Sequence, residues 1–286
     1  MYSPATTKDP TAVMNEVSAT YLAVFPAGDQ QFVPRAFDWA KSCFTGNYKD
    51  YQPVDARYHD LEHTLQGTLC FARLLRGRFQ AGGQPLLNER IFQLGLLAIL
   101  LHDTGYLKQR DDTEGTGAKY TLTHVKRSTE FAAGLLAEMG CQPDDIRAVQ
   151  NMIRCTGVDA TLKVIQFQDE LEKTTGLALG TADLLGQMAA DDYVEKLPVL
   201  YSEFEEAARH APSLTNLLGM FSSAADLMRK TPVFWEKYVT LKLNRDYEGL
   251  YRFLNHPYPD GPNWYLARIE ANMERIKQHL AATAAT

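Results

Sequence analysis

The 286-residue sequence lacks several features that would assign it to large classes of protein. It has 4 cysteines without CxxC spacing, which argues against a cysteine zinc site and favours buried thiols in a reducing compartment. Basic residues are not in excess, since 29 lysines and arginines stand against 35 acidic residues. The net charge of -6 therefore argues against binding to nucleic acid polymers or to anionic membranes.

Long hydrophobic runs are also missing. The most apolar stretch, Leu94 to Leu101, is far shorter than the ~20 residues that cross a bilayer. The first residues, MYSPATTKDPTAVMNEV, do not show the basic and then apolar pattern of a secretory signal. We therefore expect a cytoplasmic protein without a membrane partner.

Strand-like alternation is scarce, and apolar residues recur mainly at three- and four-residue steps, as they do in helices. No internal repeat, low-complexity linker or shift in composition marks a domain boundary. The sequence therefore predicts an all-α fold with one helical domain over 1–286. The predicted helices cover about 11–25, 33–44, 58–76, 88–103, 123–139, 143–155, 171–190, 197–209, 213–229, 231–246 and 264–280.

Histidine is scarce, with 7 in the chain, yet four histidines lie between positions 59 and 124. His102 and Asp103 end the most apolar predicted helix, where a buried imidazole and carboxylate need a strong partner such as a metal ion. His59 and His63 are four residues apart on one predicted helix and should share a face. Each pair taken alone also fits a plain structural role, as a core histidine, a solvated helix end or two surface histidines.

Asp183 lies in LALGTADLLGQMA, where nearly every neighbour is small or apolar. An unpaired carboxylate there would be unfavourable by several kcal/mol, so it must be exposed, paired or bound to metal. With His63, His102 and Asp103 it makes a mixed imidazole and carboxylate set. Such a set suits a divalent ion such as Mn, Fe, Co, Ni, Zn or Mg.

These segments resemble a known superfamily in order and spacing. His63, ILLHDTGY at 99–106 and TADLL at 181–185 are similar to the HD-domain metal-dependent phosphohydrolases. ARYHDLEHT at 56–64 resembles the YHNxxH segment of the cyclic-nucleotide phosphodiesterase branch. THVKRSTEFAAGLL at 123–136 resembles a helix that brings a histidine to a second metal. The resemblance implies an HD-domain helical bundle with its core at about 57–190 and a C-terminal helical extension at about 191–286.

The resemblance also implies roles for individual residues. His59 matches the histidine that protonates the leaving oxygen, and His124 is a candidate ligand of a second metal. HDTGY places Tyr106 where the phosphodiesterase branch has another histidine, so whether the site binds one metal ion or two stays open. The implied ligands of the first metal are His63, His102, Asp103 and Asp183, with Asp103 also counted as catalytic.

The expected function is metal-dependent hydrolysis of a small phosphoester, such as a nucleotide or cyclic nucleotide, by metal-activated water. Arg127 is the best candidate to bind the phosphate, with Lys108 and Lys126 as further candidates, although each could equally be a solvated surface charge. The glycine-containing segment at 114–121 lacks a P-loop ending, and we expect a mobile flap there.

Two other functions stay open at this point. An HD-type diiron oxygenase would need more histidines, and a ligand-binding HD protein would keep the pocket without turnover. Whether the chain forms a homodimer also stays open.

Overall fold

The computed structural model describes residues 6–157, 161–211 and 221–284. These residues form α-helices and no strand, with isolated bridges at Tyr51–Gln109 and Asn255–Asn263. The all-α prediction is confirmed. The helices are α1 Pro10–Val24, α2 Phe32–Phe44, α3 Leu61–Gln80, α4 Glu89–Leu101, α5 His124–Glu138, α6 Pro143–Ile153, α7 Glu170–Met188, α8 Tyr193–His210, α9 Ala224–Phe234, α10 Thr240–Arg245 and α11 Trp264–Ala284.

Several helices begin at a side chain that satisfies a free N–H group of the first turn. Asp60, Asn88 and Asp169 each accept a hydrogen bond from the backbone N–H three residues later, at 2.8–2.9 Å. Such caps stabilise a helix start by about 1 kcal/mol. They define the first residues of α3, α4 and α7, the three helices that bring the candidate site together.

Helices α3 and α7 cross closely in the middle of the molecule, and α4 packs against both. The crossing depends on a glycine. A Cβ atom at Gly186 of α7 would lie 2.7 Å from the backbone C and O of Gln66, whereas one at Gly67 would lie 3.7 Å from the Cα of Asp183, an ordinary van der Waals contact. The α3 and α7 backbones can therefore approach this closely only because glycine occupies position 186.

Two predicted helix boundaries are wrong. His59 does not share a helix with His63, because Asp60 has an extended backbone, caps α3 and leaves His59 before the helix. The predicted start at Thr231-Pro232 is also wrong, since Pro232 lies inside α9 and a π-helical turn at Trp235–Val239 continues into α10. A proline removes one N–H and can bend a helix without ending it.

Two further boundaries differ more mildly. α8 begins at Tyr193, four residues before the predicted start, and carries Pro198 within it. Residues 213–220 of the predicted helix at 213–229 lie outside the described residues, and in the described part α9 begins after the capping Ser223.

The core is one cluster of buried apolar side chains that extends from Val13 in α1 to Ile276 in α11. All four cysteines are free thiols, as expected, and Cys43, Cys70 and Cys155 are buried. Within the described ranges, no helix combines the length and apolar character needed to cross a membrane.

Candidate metal centre

Four side chains meet at the centre of the molecule, and we call them the metal ring. His63 lies in the first turn of α3, His102 and Asp103 follow the last residue of α4, and Asp183 lies on α7. Their exposed fractions are 4%, 1%, 2% and 8%, respectively. The structure therefore brings together the residues that the sequence predicted, at the place where three central helices meet.

In the metal ring each histidine faces both carboxylates. His63 Nε2 lies 3.1 Å from Asp103 Oδ2 and 3.4 Å from Asp183 Oδ1. His102 Nε2 lies 3.3 Å and 3.4 Å from the same two oxygens. Among the described residues, ligand atoms of His63, His102 and Asp103 lie within 4.8 Å of one another, which makes them a group able to hold a metal ion. Asp183 joins that group through its contacts with the two histidines.

These distances fit ligands around a shared ion. Two ligand atoms about 2.1 Å from one ion are about 3.0 Å apart at a right angle and about 3.4 Å apart at the tetrahedral angle. His102 Nε2 and Asp103 Oδ2 are buried and make no hydrogen bond within the described part of the chain. A buried polar atom without a hydrogen-bond partner destabilises the folded protein. A metal ion bound between these two atoms would remove that destabilisation.

The orientation of His102 also suits a metal ligand. Its Nδ1 lies 2.7 Å from the Ile99 carbonyl oxygen, the partner to which a protonated Nδ1 donates. This hydrogen bond leaves the Nε2 lone pair of the neutral ring directed at the carboxylates.

Proton affinities in the metal ring are strongly coupled. Burial lowers the pKa of His63, but the carboxylates of Asp103 and Asp183 raise it more, to about 10. The pKa of His102 is likewise raised by both carboxylates against the effect of burial. Burial raises the pKa of each carboxyl group, but the two imidazoles outweigh it and hold both pKa values well below the usual range. Without a metal ion, protons on the histidines neutralise the buried carboxylates.

A histidine and glutamate pair lies beside the metal ring. His59 Nδ1 lies 2.6 Å from Glu203 Oε2, and the Tyr58 N–H donates to Glu203 Oε1 at 2.7 Å. Burial raises the pKa of Glu203, but His59 and the backbone N–H groups of Tyr58 and His59 lower it below the usual range. The ionised carboxylate thus orients the imidazole and leaves His59 Nε2 for proton transfer.

His124 and Tyr106 complete this side of the centre. The Tyr106 ring stacks against both His59 and His124, with centroid distances of 4.4 and 4.8 Å, and the two histidine rings are 6.1 Å apart. His124 Nε2 lies 3.9 Å from Asp103 Oδ1, the oxygen that does not face His63. Burial lowers the pKa of His124, so its ring is neutral at pH 7. A second ion bound by His124 would therefore be shared with Asp103, the carboxylate that it faces.

Access to the metal ring differs between its two sides. A cavity of about 10 Å³ adjoins His63 and has room for about one water molecule. The side chains of His59 and His124 are 13% and 17% exposed, whereas His102 is 1% exposed. The side of the metal ring that carries His59 and His124 is therefore more exposed than the side of His102.

The structure gives Lys108 and Lys126 other partners. The buried Lys108 ammonium pairs with Asp55 at 2.9 Å and donates to the Gly115 carbonyl at 2.6 Å. Lys126 is exposed and lies 3.7 Å from Glu130. Neither ammonium group is within ion-pair distance of the metal ring, so their role in substrate binding stays a prediction without support from these contacts.

Arg127 holds the turn that follows Asp103. Its Nε donates to the Gly105 carbonyl at 2.7 Å and its Nη2 donates to the Leu107 carbonyl at 2.8 Å. The guanidinium lies 3.5 Å from the centre of the Tyr120 ring. These contacts give Arg127 a structural role in the turn, and its binding of phosphate stays a prediction.

The segment expected to be a flap is tied to the rest of the protein. Over 104–121 the chain forms two 3-10 turns. Glu206 of α8 accepts hydrogen bonds from the Thr116 N–H and hydroxyl, at 2.5 and 2.7 Å, and Asp55 accepts one from the Gly117 N–H at 2.7 Å. The contacts describe a fixed wall instead of an open flap.

Glu203 is a site residue that sequence reasoning missed. It lies on α8 in YSEFEEAAR, a charged segment that resembles a solvated helix. A signal was nevertheless present, because Leu197, Leu200, Glu203 and Ala207 recur at three- and four-residue steps and place the carboxylate on the apolar face.

Comparison with known proteins gives a match to one family model. Residues 112–251 match the Npun_R2479-like family. The matched segment is just under half of the 286 residues and includes His124, Asp183 and Glu203, but not the other three residues of the metal ring. No curated protein matches the sequence. The chain is thus similar to the Npun_R2479-like family over one part of the candidate centre.

Proposed function

We propose that this protein is a metal-dependent hydrolase of small phosphoesters. The observation that carries the proposal is the metal ring of two imidazoles and two carboxylates, placed beside a third imidazole, that of His59, which contacts Glu203. This donor set suits a borderline or hard divalent ion, such as Mn, Fe, Co, Ni, Zn or Mg. A bound ion would lower the pKa of coordinated water towards ~7 and polarise a phosphoryl oxygen.

Residues of the metal ring would hold the ion, and their burial would keep it in place. Asp103 has one oxygen facing His63 and His102 and another facing His124. It is therefore the residue on which both a first ion and any second ion depend. Removing its carboxylate should abolish metal binding.

His59 would act as the proton donor. It is not part of the metal ring, it is partly exposed, and its Nδ1 lies 2.6 Å from the Glu203 carboxylate, which orients the ring. A histidine with these neighbours can protonate the departing alkoxide of a phosphoester. The proposed substrate is a small phosphorylated molecule, and the proposed compartment is the cytoplasm.

The experiment compares metal content and turnover in a small set of variants. Purified protein loaded with Mn²⁺ is tested on bis(p-nitrophenyl) phosphate and on a panel of nucleotides, cyclic nucleotides and sugar phosphates. Asp103→Ala should lose bound metal and all activity while its circular dichroism stays helical. The control Asp38→Asn changes an exposed carboxylate on α2 and should behave as the wild type.

His59→Asn separates proton donation from metal binding. It should retain the metal content of the wild type and lose rate, with a greater loss for phenyl than for p-nitrophenyl esters, because the poorer leaving group needs the proton more. Glu203→Gln should also lower the rate more for phenyl than for p-nitrophenyl esters, but by a smaller factor than His59→Asn. Equal losses for both esters, or wild-type metal content in Asp103→Ala, would contradict the proposal. Iron-dependent oxygen uptake without phosphoester cleavage would favour an oxygenase.

A further inference from the structure

A separate cavity of about 800 Å³ opens on the outer side of the turn that follows Asp103, and we call it the outer cavity. It lies between residues 48–51, residues 107–112 and one face of α5. Thr104, Gly105 and Leu107 form part of its wall, but no metal-ring residue lines it. Its volume lies in the range of small-molecule sites.

One wall of the outer cavity is aromatic. The Tyr48 and Tyr51 rings are stacked with centroids 6.1 Å apart. Phe131 of α5 lies edge-on to both, at 5.4 and 5.1 Å. A group of rings like this one can bind a flat or apolar body and also attracts cations to the ring faces.

The lining of the outer cavity has more acidic than basic side chains, five against two. The basic ones are Lys49, which pairs with Glu138, and Arg127, a cation that donates to the neutral Gly105 and Leu107 carbonyls. The acidic side chains in the wall are Asp50, Asp111, Asp112, Glu130 and Glu138.

Two of these carboxylates are available to a ligand. Asp50 and Asp111 are exposed, and neither carboxylate has a hydrogen bond or ion pair with another described residue. They lie close in the fold, because the Arg110 N–H donates to the Asp50 carbonyl at 2.7 Å, next to the Tyr51–Gln109 bridge. The rim of the cavity thus has two unpaired negative charges beside an aromatic wall.

We propose that the outer cavity is a binding site for an organic cation, an ammonium group on an aromatic or apolar body. The body would pack against Tyr48, Tyr51 and Phe131, and the ammonium group would meet the carboxylates of Asp50 and Asp111. An anionic phosphoester would be repelled, so this site is distinct from the proposed substrate site.

Occupancy of the outer cavity should also change the metal ring. Thr104 and Gly105 line the cavity and directly follow Asp103 in the chain. Arg127 lines it too and holds the carbonyls of Gly105 and Leu107. A ligand against this wall acts on the backbone that orients Asp103. Because such coupling is reciprocal, the ligand should change the affinity for the metal ion by the same factor by which the metal ion changes the affinity for the ligand.

The test uses calorimetric titration of the full chain, first metal-free, with tryptamine as the cation and indole-3-acetate as an anion of similar shape. Tryptamine should bind saturably at one site, and indole-3-acetate should not. Asp50→Asn combined with Asp111→Asn should weaken tryptamine binding roughly two- to thirtyfold, as expected for two exposed ion pairs. Tyr51→Leu should weaken it about three- to tenfold through loss of the ring contact.

The control is Asp38→Asn combined with Asp260→Asn, which removes the same net charge from exposed positions outside the cavity and should leave the affinity unchanged. Equal binding of the anion, or unchanged affinity in the Asp50 and Asp111 variant, would overturn the site. A second titration measures Mn²⁺ affinity with and without saturating tryptamine, and an unchanged value would overturn the coupling. Both readouts are independent of whether the protein hydrolyses phosphoesters.

Discussion

Binding of a divalent ion to the metal ring should release protons, because the ring is protonated when no ion is present. His63 has a pKa of about 10, set by burial, which lowers it, and by the carboxylates of Asp103 and Asp183, which raise it more. A metal ion binds the neutral imidazole, so the proton must leave. Below pH 10, each unit by which the pH falls should therefore raise the Kd for the metal ion about tenfold, which corresponds to about 1.4 kcal/mol.

The magnitude is large over an accessible pH range. Between about pH 8 and pH 6, one displaced proton corresponds to roughly a hundredfold change in Kd. The pKa of His102 is also raised, so a second proton adds to the dependence below that pKa. The expected slope therefore lies between one and two protons per ion, with tighter binding at higher pH.

Calorimetric titration of the metal-free protein with Mn²⁺ measures this directly. Repeating each titration in two buffers with different ionisation enthalpies gives the number of protons released. Glu203→Gln is a suitable control because its carboxylate lies outside the metal ring, and its proton count should match the wild type. A Kd that stays constant between pH 6 and pH 8, with no proton release, would refute the reasoning.

The same pKa values predict the stability of the metal-free protein. The folded pKa of His63, about 10, exceeds its ordinary value of 6.5, so its stabilisation is complete below pH 6.5 and is lost as the pH rises towards 10. The lowered pKa values of Asp103 and Asp183 act oppositely, with stabilisation present above their ordinary pKa of 3.8 and lost as the pH falls below it. Thermal unfolding in chelator should show highest stability between these limits, and added Mn²⁺ should extend it to higher pH.

Three further predictions concern the scaffold. Gly186→Ala should destabilise the protein by about 1–3 kcal/mol and weaken metal binding, because its Cβ would meet the Gln66 backbone; Gly134→Ala, with no atom within 4 Å of its Cβ, is the matched control in urea unfolding. Asp60→Ala should lose the α3 cap, with about 1 kcal/mol of stability and part of the metal affinity, and unchanged affinity in a metal titration would contradict the role of the cap. Tyr247→Phe removes the hydrogen bond to a buried carbonyl and should lower the unfolding free energy by about 1–2 kcal/mol, so an unchanged urea midpoint would count against that bond.

The sequence indicated His102, Asp103 and Asp183 because each is a polar exception in an apolar setting, and His63 through its place in the family resemblance. His102 and Asp103 end a helix that is apolar nearly all round, and Asp183 lies among small and apolar neighbours. Such exceptions can be read along the chain, because burial of a charged group needs a partner wherever the helix packs. Helical periodicity identified most helices for the same local reason.

Glu203 and the outer cavity depend on packing that no local pattern determines. Glu203 is 144 residues from His59 and meets it only because α8 packs beside the segment before α3. The predicted start of α3 was three residues too early. The Asp60 side chain accepts a hydrogen bond from the His63 N–H, so the helix begins at Leu61 and does not include His59. Arg127 shows that the sequence position of a cation does not identify the groups that it contacts. Its position suggested phosphate binding, and in the structure its guanidinium donates to carbonyl groups of the neighbouring turn.

A last prediction asks whether the metal ring exists for stability or for a ligand. Buried ion pairs seldom stabilise a fold more than apolar residues of similar volume, whereas removing one partner leaves a buried charge and lowers stability by about 3–5 kcal/mol. Asp103→Val alone should therefore destabilise the metal-free protein by that amount. Replacing all four members together, both histidines by leucine and both aspartates by valine, should recover most of the loss.

Urea unfolding in chelator compares the wild type, the single variant and the fourfold variant, with circular dichroism to verify helix content. If the ring is kept for a ligand, the fourfold variant should be close to the wild type in stability and unable to bind Mn²⁺. A fourfold variant that is less stable than Asp103→Val would mean that the ring is a structural network. The buried Nε2 of His102 and Oδ2 of Asp103, without hydrogen bonds among the described residues, favour the first outcome, because a network evolved for stability would satisfy them.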